Sequence, residues 1–188
     1  MEMDSKLNWP IDKQIDVGSN IQIVTLTPEH ATAYLALRKM SEIELPQYVG
    51  PNAERELLSG PEGIAPLMAG YAAEGTLVFG AVHAGVLISV LAVSRRLSPK
   101  FKHRALIWGM YVAGEYRHLK VGTQLLTHVQ HWAQQHPEVT ILWLHVTASN
   151  TPAISFYEKQ GFAIYGTEPD SLFTQGEYHA AHYMQKKP

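Results

Sequence analysis

The chain has 188 residues, 46% of them hydrophobic and 17% charged, with a net charge of −2. That is enough apolar chain for one domain with its own core and excludes a disordered polymer, and near-neutrality gives no electrostatic sign of a nucleic-acid partner. Cysteine is absent, which removes disulfides, thiolate metal sites and a cysteine nucleophile and fits a cytoplasmic protein, and no run approaches the ~18 apolar residues of a membrane span.

Residues 1–18 read as a polar N-terminal extension, broken by Pro10 and Gly18, and residues 19–188 as a single domain. Ile21 to Leu26 alternates and is β-branched, so it reads as a strand. Thr27-Pro28-Glu29 starts a helix, with Thr27 as N-cap and Pro28 at the first helical position. Ala33, Leu37 and Met40 are expected to form its buried face, with Tyr34 beside them. Two short helices are expected over Ala53–Leu58 and Pro61–Met68. Thr76–His83 and Val86–Arg95 read as a hairpin turned by Ala84-Gly85, followed by a third strand over Arg104–Val112.

A helix from Thr123 to about His136 places Leu125, Leu126, Val129 and Ala133 at helical spacing, and Pro137 ends it. Thr140–Val146 is apolar apart from His145, as a central strand would be. A short helix carries Ala153, Phe156 and Tyr157 and stops at Gly161-Phe162. Phe162–Tyr165 and Tyr178–Met184 close the sheet as a last pair, joined by a long polar loop. The order is β-α(α)-β-β-β-α-β-α-β-β, an α/β (α+β) arrangement.

Two constellations carry chemistry. Tyr116 to Thr123 leaves a strand and enters a helix, where unpaired backbone N–H groups favour an anion. Arg117 and Lys120 add positive charge, and Gly122 permits close backbone approach. Such a loop is either a phosphate cradle or a plain strand-to-helix connection. The second constellation is Asn150-Thr-Pro-Ala-Ile-Ser-Phe-Tyr-Glu-Lys-Gln-Gly-Phe162, which fits N-x-x-A-x-x-x-Y-x-x-x-G-F.

This second segment resembles the B motif of the GNAT superfamily of acetyl-CoA-dependent N-acetyltransferases. Arg117-His-Leu-Lys-Val-Gly122 resembles its A motif, Q/R-x-x-G-x-G/A, with Lys120 in place of the first glycine. The resemblance covers residues 105–162 as sequence and about 20–188 as topology. It implies a mixed, mostly antiparallel sheet of six to seven strands flanked by about four helices. It also implies acetyl-CoA as cosubstrate, without a metal, and an amine-bearing small molecule or peptide as acceptor. A monomer or homodimer follows from the same resemblance.

The resemblance further implies site roles. Met110 and Val112, with Tyr111 between them, offer backbone groups to the pantetheine arm. The amides of Arg117, His118, Leu119, Lys120, Val121, Gly122 and Thr123 hold the pyrophosphate. Asn150 bonds the pantetheine or the chain near it, and Ala153 and Phe156 pack against the arm. Tyr157 protonates the leaving thiolate, since a phenol near pKa ~10 can donate to a thiolate of pKa ~8.5.

The attacking amine must be neutral, so a base must first take a proton from the acceptor ammonium. Leu106 and Trp108, where some family members carry a carboxylate or histidine, cannot serve. His145 either does so or is a hydrogen-bonded core histidine, and a water chain is the other route for the proton. Its neighbours Leu144 and Val146 face the other side of the sheet. Should Lys120 close the loop, the chain is instead a non-catalytic acyl-CoA-binding sensor or scaffold.

The acceptor site is expected between residues 40–70 and the loop 166–178, with Glu42, Glu44, Glu168, Asp170 and Glu177 as acidic walls. His128 and His131 share a helix face and are expected in solvent, without a third metal ligand.

Overall fold

The computed structural model describes residues 20–96 and 98–188; the expected extension over residues 1–18 lies outside them. Strands β1 (Ile21–Thr25), β2 (Thr76–His83), β3 (Val86–Arg95), β4 (Arg104–Val112), β5 (Ile141–Thr147), β6 (Ala163–Thr174) and β7 (Glu177–Lys186) form one sheet. Its order is β1-β2-β3-β4-β5-β7-β6. Every neighbouring pair is antiparallel except β4 and β5. Helices α1 (Ala31–Glu44) and α2 (Pro51–Tyr71) cover one face, and α3 (Val121–Gln134) and α4 (Thr151–Lys159) the other. The expected order and sheet are both present.

The turns show how local chemistry sets this topology. Ala84 and Gly85 both take positive φ, 48° and 79°, the geometry that matches the twist of a two-residue hairpin. In α3, Val121, Leu125, Leu126, Val129, Trp132 and Ala133 are buried against the sheet. Each larger apolar side chain in that stripe contributes roughly 1.5–3 kcal/mol of transfer free energy.

Four expectations are corrected. The buried face of α1 is Ala31, Tyr34, Leu35, Leu37, Arg38 and Ser41, whereas Ala33 and Met40 are exposed. The two short helices are one, Pro51–Tyr71, bent at Gly60 (φ 64°, ψ −175°) just before Pro61; the glycine absorbs a bend that reads in sequence as a break. The long polar loop over 166–178 is a hairpin with a two-residue turn at Gln175-Gly176, φ 53° and 83°. Most of β6 is exposed, so no buried face imposed the alternation that marks a strand. His128 is buried, packed edge-on to the Phe79 ring at 4.7 Å, while His131 is exposed.

Candidate active site

β4 and β5 run parallel through only three rungs, Arg104–Ile141, Ala105–Leu142 and Leu106–Trp143. Beyond them the register ends, and a pocket opens between the C-terminal halves of the two strands, with both lining it. A bulge reshapes β4 at the same place. Val90 faces Tyr111 and Ala92 faces Trp108, so Leu91 alone lies opposite both Gly109 and Met110. Gly109 takes φ +62° there, a value an L side chain adopts only under strain.

Met110, Tyr111, His145, Asn150, Ala153 and Tyr157 all line this pocket. Tyr157 is buried at the base of α4, between the rings of Phe156 and Phe162. Its hydroxyl donates to the Met110 sulfur at 3.6 Å. Burial pushes its pKa well above the usual phenol value, so the proton stays on oxygen and the group acts as a donor.

His145 points away from Leu144 and Val146, as its place in β5 requires; those two are buried and His145 is exposed on the pocket wall. It sits opposite Tyr183 in the β5–β7 register, ring centroids 6.1 Å apart. Desolvation lowers its pKa below 6.5, and the nearby Glu168 charge opposes that shift. Glu168 itself is held as an anion by hydrogen bonds from Tyr183 and Ser171. His145 is therefore not a hydrogen-bonded core histidine.

The A-motif loop is a 3-10 turn over Gly114–Leu119 that runs straight into α3. Gln124 N–H bonds Lys120 C=O at 3.1 Å, which leaves the preceding amides of the first helical turn directed outward. Lys120 is exposed and left-handed, φ 55° and ψ 25°, the conformation a glycine adopts without cost. A Cβ on Gly122 would fall 2.7 Å from Met110 Cε and 3.6 Å from Phe156 Cζ. Close packing of the α3 start on β4 and α4 is thus one reason for this glycine.

Arg117 is turned back from the loop. It donates from Nε to Val112 C=O at 3.0 Å and pairs with Glu44 at 2.5 Å. Asn150 caps α4, accepting from Ala153 N–H at 3.2 Å.

The end of the pocket where the acceptor is expected is bounded by residues after α1, among them Leu45, Tyr48 and Val49, and by Leu172 of β6. Tyr48 reaches across to donate to Ser149 C=O at 3.3 Å. None of Glu42, Glu44, Glu168, Asp170 and Glu177 lines the pocket, so the expected acidic wall is absent among the described residues.

Sequence reasoning missed Arg38 and Glu56, 1% and 0% exposed, paired at 2.8 Å. Glu56 accepts from the hydroxyls of Tyr34 and Tyr71, and Arg38 lines the pocket floor. The available signal was a tyrosine and an arginine four residues apart on the apolar stripe of one helix.

The Acetyltransferase (GNAT) family model matches residues 37–162, and the chain belongs to that family. The probable N-acetyltransferase san of Drosophila melanogaster is 32% identical over 85 residues, 45% of this chain and 46% of that protein. N-alpha-acetyltransferase 50 of Danio rerio is 38% identical over 71 residues, 38% of this chain and 42% of that one. The matched segments span less than half the length of these curated relatives.

Among solved structures, the ribosomal-protein-S5-alanine acetyltransferase of Vibrio fischeri has a TM-score of 0.78 at 14% identity, covering 94% of this chain and 97% of its own. RimL, a ribosomal L7/L12 alpha-N-protein acetyltransferase solved with coenzyme A, has a TM-score of 0.77 at 14% identity, covering 93% and 98%. At such identities the likeness shows the fold.

Proposed function

We propose that the chain is an N-acetyltransferase that moves an acetyl group from acetyl-CoA to a primary amine by direct attack on the thioester. The observation that carries this reading is the joint placement of Tyr157 and His145 on the pocket that opens where β4 and β5 part. Family membership and the curated relatives named as N-acetyltransferases support it.

The residues present fit such a cosubstrate. The α3 amides and exposed Lys120 suit a pyrophosphate. The open edge of β4 beyond Leu106 suits an extended amide-bearing arm. When bound, acetyl-CoA supplies an acyl group activated as a thioester.

His145, neutral near pH 7, accepts a proton from the acceptor ammonium directly or through water. The freed amine forms the new C–N bond as the C–S bond breaks; Tyr157 donates its proton to the departing sulfur, and the new amide nitrogen sheds its second proton, through water, so that the Tyr157 phenol is restored. Lys120 leaves the loop open in this reading, because its side chain lies in solvent. A pocket without carboxylates suits an amine with an uncharged body, such as a peptide N-terminus or an apolar small amine, better than a polyamine.

Thermal unfolding with acetyl-CoA tests the cofactor site. At 100 times the dissociation constant a ligand adds ~2.7 kcal/mol, roughly 5–10 °C for a chain of this size. The shift is expected to be absent with adenine nucleotides that lack the pantetheine arm. Thiol release across a panel of amines and peptides then tests turnover. A shift without release from any amine would point to the acyl-CoA-binding scaffold, and no shift at millimolar cofactor would end both readings.

A further inference from the structure

The bulge in β4 is gripped by a side chain from α1. Arg38 reaches from α1 through Nη1 to the Gly109 carbonyl. Its Nη2 and Nε donate to the Tyr34 hydroxyl at 2.8 and 3.1 Å. Glu56 balances the charge, and the guanidinium lies against the Tyr34 and Trp108 rings, 4.9 and 5.7 Å from their centroids. A Cβ on Gly109 would collide with this guanidinium. Four partners on three elements thus hold one planar group in one orientation.

We propose that Arg38 is a positioning residue for acetyl transfer: by fixing the Gly109 carbonyl it fixes the Met110 amide on the pocket wall. The link is covalent geometry. In a trans peptide the C=O of Gly109 and the N–H of Met110 share one plane and point in opposite directions, and no cis bond occurs among the described residues. Neither residue has a partner in the β3 register, so the regular ladder is interrupted here, and the guanidinium holds the Gly109 carbonyl from α1. Met110 also meets the Tyr157 hydroxyl through its sulfur, so the same residue joins the bulge to the proposed acid.

The kinetic part of this inference rests on the acetyltransferase reading; the grip does not. Tyr34 and Tyr71 provide an internal comparison. Both donate to the same Glu56 oxygen, at 2.6 and 2.5 Å, but among the two only the Tyr34 hydroxyl accepts from Arg38. Tyr34→Phe and Tyr71→Phe remove one hydroxyl each and keep both rings, so both are expected to fold.

Two readouts are taken on each: the Met110 amide cross-peak in a 15N-resolved NMR spectrum, and kcat with KM for acetyl-CoA. Tyr34→Phe is expected to move the Met110 cross-peak and lower kcat about tenfold with little change in KM, and Tyr71→Phe to do neither. The two variants behaving alike in kcat, or an unmoved Met110 cross-peak in Tyr34→Phe, overturns the proposal. If the wild-type chain releases no thiol with any amine while Met110 still responds to Tyr34 alone, the acetyltransferase reading fails and the grip stands.

Discussion

The Tyr157 hydroxyl donates to the Met110 sulfur at 3.6 Å, so the proposed acid of α4 rests on the bulged residue of β4. A thioether is a weak acceptor, and little stability depends on this contact. Tyr157→Phe is therefore expected to lower kcat by about 10²-fold, the lower end of what a general acid contributes. Acetyl-CoA affinity should stay within about threefold and Tm within a few degrees. Steady-state kinetics with calorimetry measures all three, and an unchanged kcat would remove Tyr157 from the chemistry.

His145 predicts the direction of a pH profile. A base works when neutral, so kcat/KM should fall on the acid side at a pH below the ordinary histidine value of 6.5, because partial desolvation against the pocket wall lowers the pKa. Glu168 pulls the other way, so Glu168→Gln should move that limb to still lower pH. His145→Gln should abolish it. Tyr183, which faces His145 and donates to Glu168, is kept intact in both variants.

The same shift makes a stability statement with a definite sign. The folded pKa of His145 lies below the unfolded one, so below 6.5 the unfolded chain takes up the proton first. The stability contributed by neutral His145 is present above that pH and lost as pH falls toward the folded value. His145→Gln should flatten this part of the profile in denaturant titrations across pH 5–7.

Lys120 separates charge from backbone. Its left-handed φ costs an L residue roughly 1–2 kcal/mol, which glycine avoids in the folded chain and partly gives back through unfolded-state entropy. Lys120→Gly is expected to be as stable as the parent or about 1 kcal/mol more so, and Lys120→Ala no more stable. Both lose the positive charge, so both should bind acetyl-CoA several-fold more weakly with a shallower salt dependence. Equal binding in all three would show that the lysine does not meet the phosphates.

Gly109 is the position where a methyl group should cost most. Gly109→Ala adds left-handed strain and displaces a buried, paired guanidinium, a loss of roughly 3–5 kcal/mol. Chemical denaturation measures it, and a loss below about 1 kcal/mol would mean that the bulge relaxes freely.

Legibility followed periodicity. α3 was readable because it buries one face against the sheet, which writes its spacing into the sequence, and β2 and β3 because they bury both faces as apolar runs of strand length bounded by turns. The last pair was expected, but the extension of β6 and β7 through residues 166–178 was not, because exposed strands can be polar on both sides, and only pairing between residues such as Glu168 and Ala181 makes them strands. The acidic wall failed for a related reason: Glu44 and Glu168 find partners in Arg117 and Tyr183, and that choice depends on neighbours remote in sequence.

Local sequence determined the order of the elements, the turn at Ala84-Gly85, the loop at Arg117–Gly122 and the helix that carries Tyr157, since each rests on contacts within a few residues. Tertiary structure alone decided that β4 and β5 part after three rungs, that His145 and Tyr157 line one pocket, and that Arg38 and Glu56 pair beneath a bulge 71 residues from the arginine. Burying that pair has a desolvation cost that only a partner brought by the fold can offset, and no spacing along the chain announces such a partner.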